Sequence, residues 1–239
     1  VYGDDLVVGL QGTWYSGPGM SVFNTTQMIW TGGKLISGLP SNVVNDVEVI
    51  NSKAYIATEG GLGIWNLNTD EWEDSLTSLN GLPSNVINSL SYYDGSSSSQ
   101  TWTSESTLYI ATNVGLARYD LFNSTAMSTL TRVNGMVGDS SVSTIMWSPN
   151  SGTPANLFVA HDGVGSTRPG VSEVSISGTD SVVDIHRIDQ LPSNNVFALA
   201  SDSWGLHIAT DQNPLVHWNL TTREFEDGSA AWQTAGWPM

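Results

Sequence analysis

Short apolar runs broken by polar turn residues set the rhythm of this chain. The best-formed stretch predicts four strands, at roughly 43–50, 53–58, 62–67 and 71–76. The second of them, centred on Ala54-Tyr55-Ile56-Ala57, is apolar on both faces, as a strand must be when its sheet is covered on both sides. The third and fourth are joined by Asn66-Leu67-Asn68-Thr69-Asp70, a polar hairpin turn. No stretch holds a helical period long enough for a stable helix.

The same pattern recurs. Gly38-Leu39-Pro40-Ser41-Asn42 returns as Gly81-Leu82-Pro83-Ser84-Asn85 and, without its glycine, as Leu191-Pro192-Ser193-Asn194. Gly135-Met136-Val137-Gly138-Asp139 is a decayed copy, and Gly236-Trp237-Pro238-Met239 reads as the start of another. A second motif follows each anchor. It is Tyr55-Ile56-Ala57-Thr58-Glu59-Gly60-Gly61-Leu62, then Tyr109-Ile110-Ala111-Thr112-Asn113-Val114-Gly115-Leu116, then Leu206-His207-Ile208-Ala209-Thr210. Divergent forms are Leu157-Phe158-Val159-Ala160-His161 and Leu6-Val7-Val8-Gly9.

Four short antiparallel strands in each ~40–45 residues, repeated in phase, predict an all-β fold: a β-propeller of four-stranded antiparallel blades. A sandwich of unrelated strands leaves the recurring anchor unexplained. The full blades fall at about 39–81, 82–135, 136–190 and 191–235, after a partial blade at 1–38, in one propeller domain spanning 1–239. The partial blade starts at its second strand, and the sequence stops where a first strand should begin. The expectation is a larger ring completed by flanking or partner chain, with a five-blade ring carrying one defective blade as the rival.

Gly-Leu-Pro-Ser-Asn, a strand, then Tyr-Ile-Ala-Thr-x-x-Gly-Leu and an aromatic resembles the two-component regulator propeller repeat. The match is clearest at 38–76 and 81–121, fair at 191–226, and weak at 135–188 and 1–36. The resemblance implies sensor propellers of the bacterial periplasm, or repeats of large secreted proteins. It implies no particular ligand, because the motif resides in strands and linkers.

Charge narrows the classes of function. Acidic residues outnumber basic ones 23 to 7, for a net charge of −16. Nucleic-acid binding needs a basic footprint that this chain lacks, and charge also opposes docking on an anionic membrane. Without cysteine there are no disulfides, thiolate metal sites or cysteine nucleophiles. The longest apolar runs are too short to insert in a bilayer. Charged residues make up 13% of the chain, about half the usual ~25%. Lysine occurs only at Lys34 and Lys53. Such a neutral-polar surface points to an extracellular, cell-surface or periplasmic location.

Candidate binding residues come from loop placement. In a propeller, the linkers and the loops between second and third strands share one face. Two such loops are enlarged: 11–19, with Trp14 and Tyr15, and 161–170, with His161, Asp162 and Arg168. Exposed there, these residues would suit a ligand, with an aromatic face for a sugar; otherwise they are solvated loops with one packed aromatic. Shorter loops put Glu59, Asn113 and Asp211 at the equivalent position, a negative funnel favouring cations or hydroxyl-rich ligands, or ordinary surface charge. The serine-rich insertion 94–102 lies between a first and a second strand, on the opposite face. Sequons at Asn24, Asn123 and Asn219 fall at third-to-fourth-strand hairpins, where turn chemistry also favours Asn and Thr. The acidic clusters at Glu71–Asp74 and Glu224–Asp227 fall on fourth strands, where charge guards an edge.

Catalytic signals are weak. His207 and His217 sit in or near strands, and neither H-E-x-x-H, G-x-S-x-G nor an EF-hand loop is present. No catalytic residue, cofactor or metal is expected. The leading expectation is a non-catalytic extracytoplasmic module that binds or senses a ligand or a partner: a protein, a flanking domain or a glycan. The alternatives are a structural subunit of a filament, sheath or surface layer, capable of self-assembly, and third a lyase-type propeller.

Overall fold

A computed structural model of the chain describes residues 3, 5–9, 20–34, 38–93, 106–126, 142–147, 155–161, 170–176, 182–188, 191, 193, 195–201, 205–211 and 215–226. These residues form nineteen strands in five antiparallel sheets, and no helix occurs among them. The first sheet has three strands, β1 (Asp5–Gly9), β2 (Met20–Asn24) and β3 (Ile29–Lys34). The second orders β4 (Val44–Ile50), β5 (Lys53–Thr58), β6 (Gly61–Asn66) and β7 (Glu71–Leu76). The third orders β8 (Ile87–Tyr93), β9 (Thr107–Thr112), β10 (Gly115–Asp120) and β11 (Thr125–Ala126). The fourth holds β12 (Val142–Trp147), β13 (Ala155–His161), β14 (Gly170–Ile176) and β15 (Val182–Ile188). The fifth holds β16 (Val196–Ser201), β17 (Gly205–Thr210), β18 (Val216–Asn219) and β19 (Glu224–Glu226).

Every four-stranded sheet is a meander whose strands pair in chain order, which is the blade the repeat predicts. In the second sheet the expected and observed strands agree to within a residue or so. The three-stranded sheet begins at the second-strand position: Asp5 pairs with Asn24 as Lys53 pairs with Asn66. The fold class is all-β of the propeller type, with four full blades and one partial blade.

The chain divides into two compact units, the first three sheets in one and the last two in the other, with Val142 counted in the first. In the first unit, apolar strands seal the faces between sheets. Tyr55, Leu62, Ile64, Ile87, Leu90, Leu108, Ile110 and Tyr119 form one core between the second and third sheets. Val44, Ala54 and Ile56 form another, against Val7 of β1 and the half-buried Trp65 and Trp72. In the second unit, Phe158 and Val171 pack with Val196, Leu206, Ile208 and Trp218. Because both faces of a middle strand are covered, β9 is buried along its whole length. This is why its run Thr107-Leu108-Tyr109-Ile110 lacks the alternation of a half-exposed strand.

Candidate functional site

In three blades the anchor motif is a turn that fixes where the blade starts. The Ser41 hydroxyl accepts the Val43 N–H at 3.2 Å, Ser84 accepts the Val86 N–H at 3.1 Å, and Ser193 accepts the Asn195 N–H at 3.1 Å. Each is a hydroxyl capping its own backbone two residues on. The carbonyls of those same three residues then accept from the loop between second and third strands. Glu59 N–H donates to Val43 O at 3.2 Å, Asn113 N–H to Val86 O at 3.4 Å, and Asp211 N–H to Asn195 O at 3.3 Å. The anchor and this loop are therefore tied together in three blades by one backbone bond. The loop itself is tightened by threonine: Thr58 Oγ1 donates to Gly61 O at 2.6 Å, and Thr112 Oγ1 to Gly115 O at 2.7 Å.

Glycine is required where anchor and loop meet. A Cβ on Gly60 would stand 2.3 Å from the Pro40 carbonyl oxygen, and Gly61 has φ +138°. The Thr-Glu-Gly-Gly sequence thus lets the loop lie against Pro40-Ser41 without a clash.

Glu59, Asn113 and Asp211 have exposed side chains at this one structural position in their blades. Glu59 and Asn113 belong to the first unit, Asp211 to the second. His161 departs from its expected exposure. It is the last residue of β13, paired with Gly170, fully buried, with Nε2 3.2 Å from Ser172 Oγ. The strand runs one residue further than the loop reading allowed, so the ring is packed inside the sheet and does not open to solvent. Trp14, Tyr15, Asp162 and Arg168 lie outside the described residues, as does the insertion 94–102, which falls between β8 and β9.

The sequons sit at the expected hairpins but are not equivalent. Asn219 Oδ1 accepts the N–H groups of Thr221 and Thr222 at 2.8 and 2.9 Å, as Asn66 Oδ1 accepts those of Asn68 and Thr69. Asn24 Oδ1 caps Gln27 N–H at 2.7 Å. In the third blade Asp120 takes this turn position, accepting from Phe122 and Asn123 N–H at 2.9 Å each. Asn123 is displaced to the exposed tip, where its amide donates to Asp120 Oδ2 at 2.7 Å. His207 and His217 are cross-strand neighbours with ring centroids 4.8 Å apart, both half-buried.

Two features of β4 were not singled out from the sequence. Asp46 Oδ2 accepts Leu90 N–H at 2.8 Å and Ser89 Oγ–H at 3.1 Å from the next blade. Glu48, two residues on, has its carboxyl pushed up to about 7, first by burial and then by the negative charge of Asp46. Burial also pushes the Tyr55 and Tyr119 hydroxyls up, with nearby carboxylates adding to the effect, so both phenols are neutral. At the outer rim, Lys53 bonds Glu73 at 2.6 Å and holds that carboxyl below the usual range. In the second unit Arg223 pairs with the buried Glu173 across two sheets. Among the described residues no three His, Asp or Glu side chains are grouped as metal ligands.

No family model matches the chain, and no curated protein matches it. Solved structures do. It is similar to the extracellular domain of the one component system BT4673 from B. thetaiotaomicron, with a TM-score of 0.62 at 16% identity, covering 87% of this chain and 24% of that one. It is similar also to the extracellular domain of the hybrid two component system BT3049 from the same organism, with a TM-score of 0.61 at 18% identity, covering 89% and 27%. A third similar structure is Kuenenia stuttgartiensis hydrazine synthase, with a TM-score of 0.55 at 10% identity, covering 82% and 51%. The chain spans about a quarter of the two sensor-domain chains. At these identities the likeness is one of fold, and it agrees with the two-component propeller repeat that Leu39-Pro40-Ser41-Asn42 and its copies resemble.

Proposed function

We propose that this chain is a non-catalytic, extracytoplasmic propeller module that binds a ligand or partner at the loops between second and third strands. The observation that carries the reading is the shared backbone bond placing Glu59, Asn113 and Asp211 at one position of three blades. A fixed scaffold that presents a variable exposed side chain at each repeat is how rigid folds usually carry recognition. In the first unit Glu59 and Asn113 offer acceptors and an amide but no nucleophile with an adjacent base, and in the second Asp211 offers a carboxylate. They suit hydroxyl-rich ligands or cations better than covalent chemistry. Trp14, Tyr15, Asp162 and Arg168 belong to the same kind of loop by sequence position, the first two in the first unit and the last two in the second. The likeness to extracellular sensor domains supports the location and the sensing role. Hydrazine synthase, named for an enzyme, is a reminder that the fold alone does not choose.

Isothermal titration with neutral oligosaccharides of two to six residues, and with calcium, tests this reading. Saturable binding weakened at least fivefold by Glu59→Ala or Asn113→Ala supports it. Binding indifferent to both variants moves the site elsewhere, and turnover of any oligosaccharide replaces it with the enzyme reading.

A further inference from the structure

We propose that His207 of β17 and His217 of β18 form a two-imidazole site for a divalent transition-metal ion, with Cu2+ the tightest binder. The proposal does not rest on the ligand-binding loops.

The pair occupies one position that recurs in every blade. The residues in register there are Val7 and Val22 in the first blade, Tyr55 and Ile64 in the second, Tyr109 and Arg118 in the third, and Phe158 and Glu173 in the fourth. From the second blade to the fourth both members are buried. In the fifth blade the register sets His207 opposite His217, and both are only half-buried. Part of each imidazole is therefore open to water and to dissolved ions.

The spacing of the rings fits a shared ion. Their centroids are 4.8 Å apart, with 35° between the planes. Two imidazoles bound to one ion at about 2.0–2.1 Å, with about 90–110° between the bonds, have centroids about 4.5–5.2 Å apart. The outer torsion of histidine is broad and two-fold, so each ring can turn a nitrogen to the ion while its centroid stays in place. Gly205 makes room for this arrangement. It stands two residues before His207 and so lies on the same face of β17. A Cβ there would stand 2.6 Å from His217 Nε2, besides 2.3 Å from the Trp218 carbonyl oxygen. Without one, the His217 imidazole reaches over β17.

Chemistry sets the ion. Imidazole is the commonest metal-binding side chain. It suits Cu2+, Ni2+ and Zn2+, and the general order of affinity puts Cu2+ first. Ca2+ and Mg2+ take oxygen ligands and gain nothing from the pair. The net charge of −16 gathers cations of every kind and does not choose among them. Among the described residues no third His, Asp or Glu is grouped with the two rings, so water completes the coordination and the ion is held reversibly. Nine residues separate the two histidines along the chain. No metal-binding motif has that spacing, and only the strand register brings them together.

Titration of the whole chain with Cu2+, Ni2+, Zn2+ and Ca2+ up to 200 µM, read by heat and by tryptophan fluorescence, tests the proposal. The expected result is saturable one-to-one binding of Cu2+, with Ni2+ and Zn2+ weaker at the same site. His207→Gln and His217→Gln should each weaken Cu2+ binding by about tenfold or more. His186→Gln and Glu59→Ala should leave it unchanged. On the wild-type chain alone, the electron paramagnetic resonance of bound Cu2+ should show coupling to imidazole nitrogen, and Zn2+ should raise the melting temperature. A wild-type chain that binds no Cu2+ at 200 µM overturns the proposal. So does binding that keeps its affinity in both histidine variants, or a bound-Cu2+ spectrum with oxygen ligands alone.

Discussion

The Asn45 side-chain amide donates to the Ile87 carbonyl at 2.8 Å, joining one sheet to the next. Asn88 repeats the bond to Val142 O at 2.7 Å. Both asparagines occupy a β-bulge in the first strand of their blade, where the register shifts between Val44 and Asp46 and between Ile87 and Ser89. The bulge leaves its extra residue out of the ladder, so the side chain is free to reach across. In the second unit Ser143 Oγ makes the corresponding contact to Val196 O at 3.2 Å.

Asn45→Ala and Asn88→Ala should therefore each lower stability by about 1 kcal/mol, the usual worth of a hydrogen bond whose acceptor is left behind. Phe197 lies in the same bulge of β16, between Val196 and Ala198, and as an exposed phenylalanine donates nothing. Phe197→Asn is the control and should change stability by less than about 0.5 kcal/mol. Urea midpoints at constant m-value read all three.

The anchor turn gives a second expectation. Gly60→Ala forces a Cβ against the Pro40 carbonyl oxygen, which is backbone and cannot swing aside. It should cost about 2–3 kcal/mol. Ser41→Ala removes only the cap on Val43 N–H and should cost about 1 kcal/mol. If the two variants melt alike, the close approach of Gly60 to Pro40 is not what the motif preserves.

The sequence made the anchor, the blades and the place of each hairpin legible because all three depend on local chemistry. Leu-Pro-Ser-Asn is a turn, Tyr-Ile-Ala-Thr is a strand covered on both faces, and Asn66 to Asp70 is an Asx turn. Their recurrence turned local readings into a fold. His161 was misread because an enlarged loop and a strand one residue longer share the same residues, and only the pairing with Gly170 decides between them. The bond from Asn45 was present as a signal, since an asparagine stands six residues after Leu39 and again six after Leu82. Its partner lies in the next blade, and that distance cannot be seen without the register.

The sequons at Asn123 and Asn219 should separate by stability. Asn219 holds two turn N–H groups, so Asn219→Ala should cost about 1 kcal/mol whether or not a glycan is attached. Asn123 stands at an exposed tip where Asp120 already caps the turn, so Asn123→Ala should be neutral within about 0.5 kcal/mol. The capping loss should move to Asp120→Ala. Thermal melts of the three variants, made without glycosylation, give the answer. Equal losses at Asn123 and Asn219 would show that turn capping does not distinguish them.

Glu48 gives the chain a pH dependence whose sign follows from its environment. Its carboxyl, ordinarily near 4.5, is raised to about 7 by burial and by Asp46. Below 4.5 it is protonated in both the folded and the unfolded chain and costs nothing. As pH climbs from 4.5 to 7, the unfolded chain releases this proton while the folded chain keeps it. The unfolded state gains in that window, and stability falls. Above 7 the folded carboxyl ionises too, and the loss levels off at up to about 3 kcal/mol. Glu48→Gln keeps the shape and removes the titration. It should be more stable than wild type at pH 8, by an amount that shrinks steadily as pH is lowered and vanishes near pH 4. Asp46 must stay in place for this comparison, because it caps Leu90 N–H from the neighbouring blade and its loss would destabilise at every pH. Urea unfolding of wild type and Glu48→Gln at pH 4, 5, 6, 7 and 8 measures the difference. Parallel stability curves for the two proteins would mean that Glu48 ionises freely in the folded blade and that the interface around it is wet.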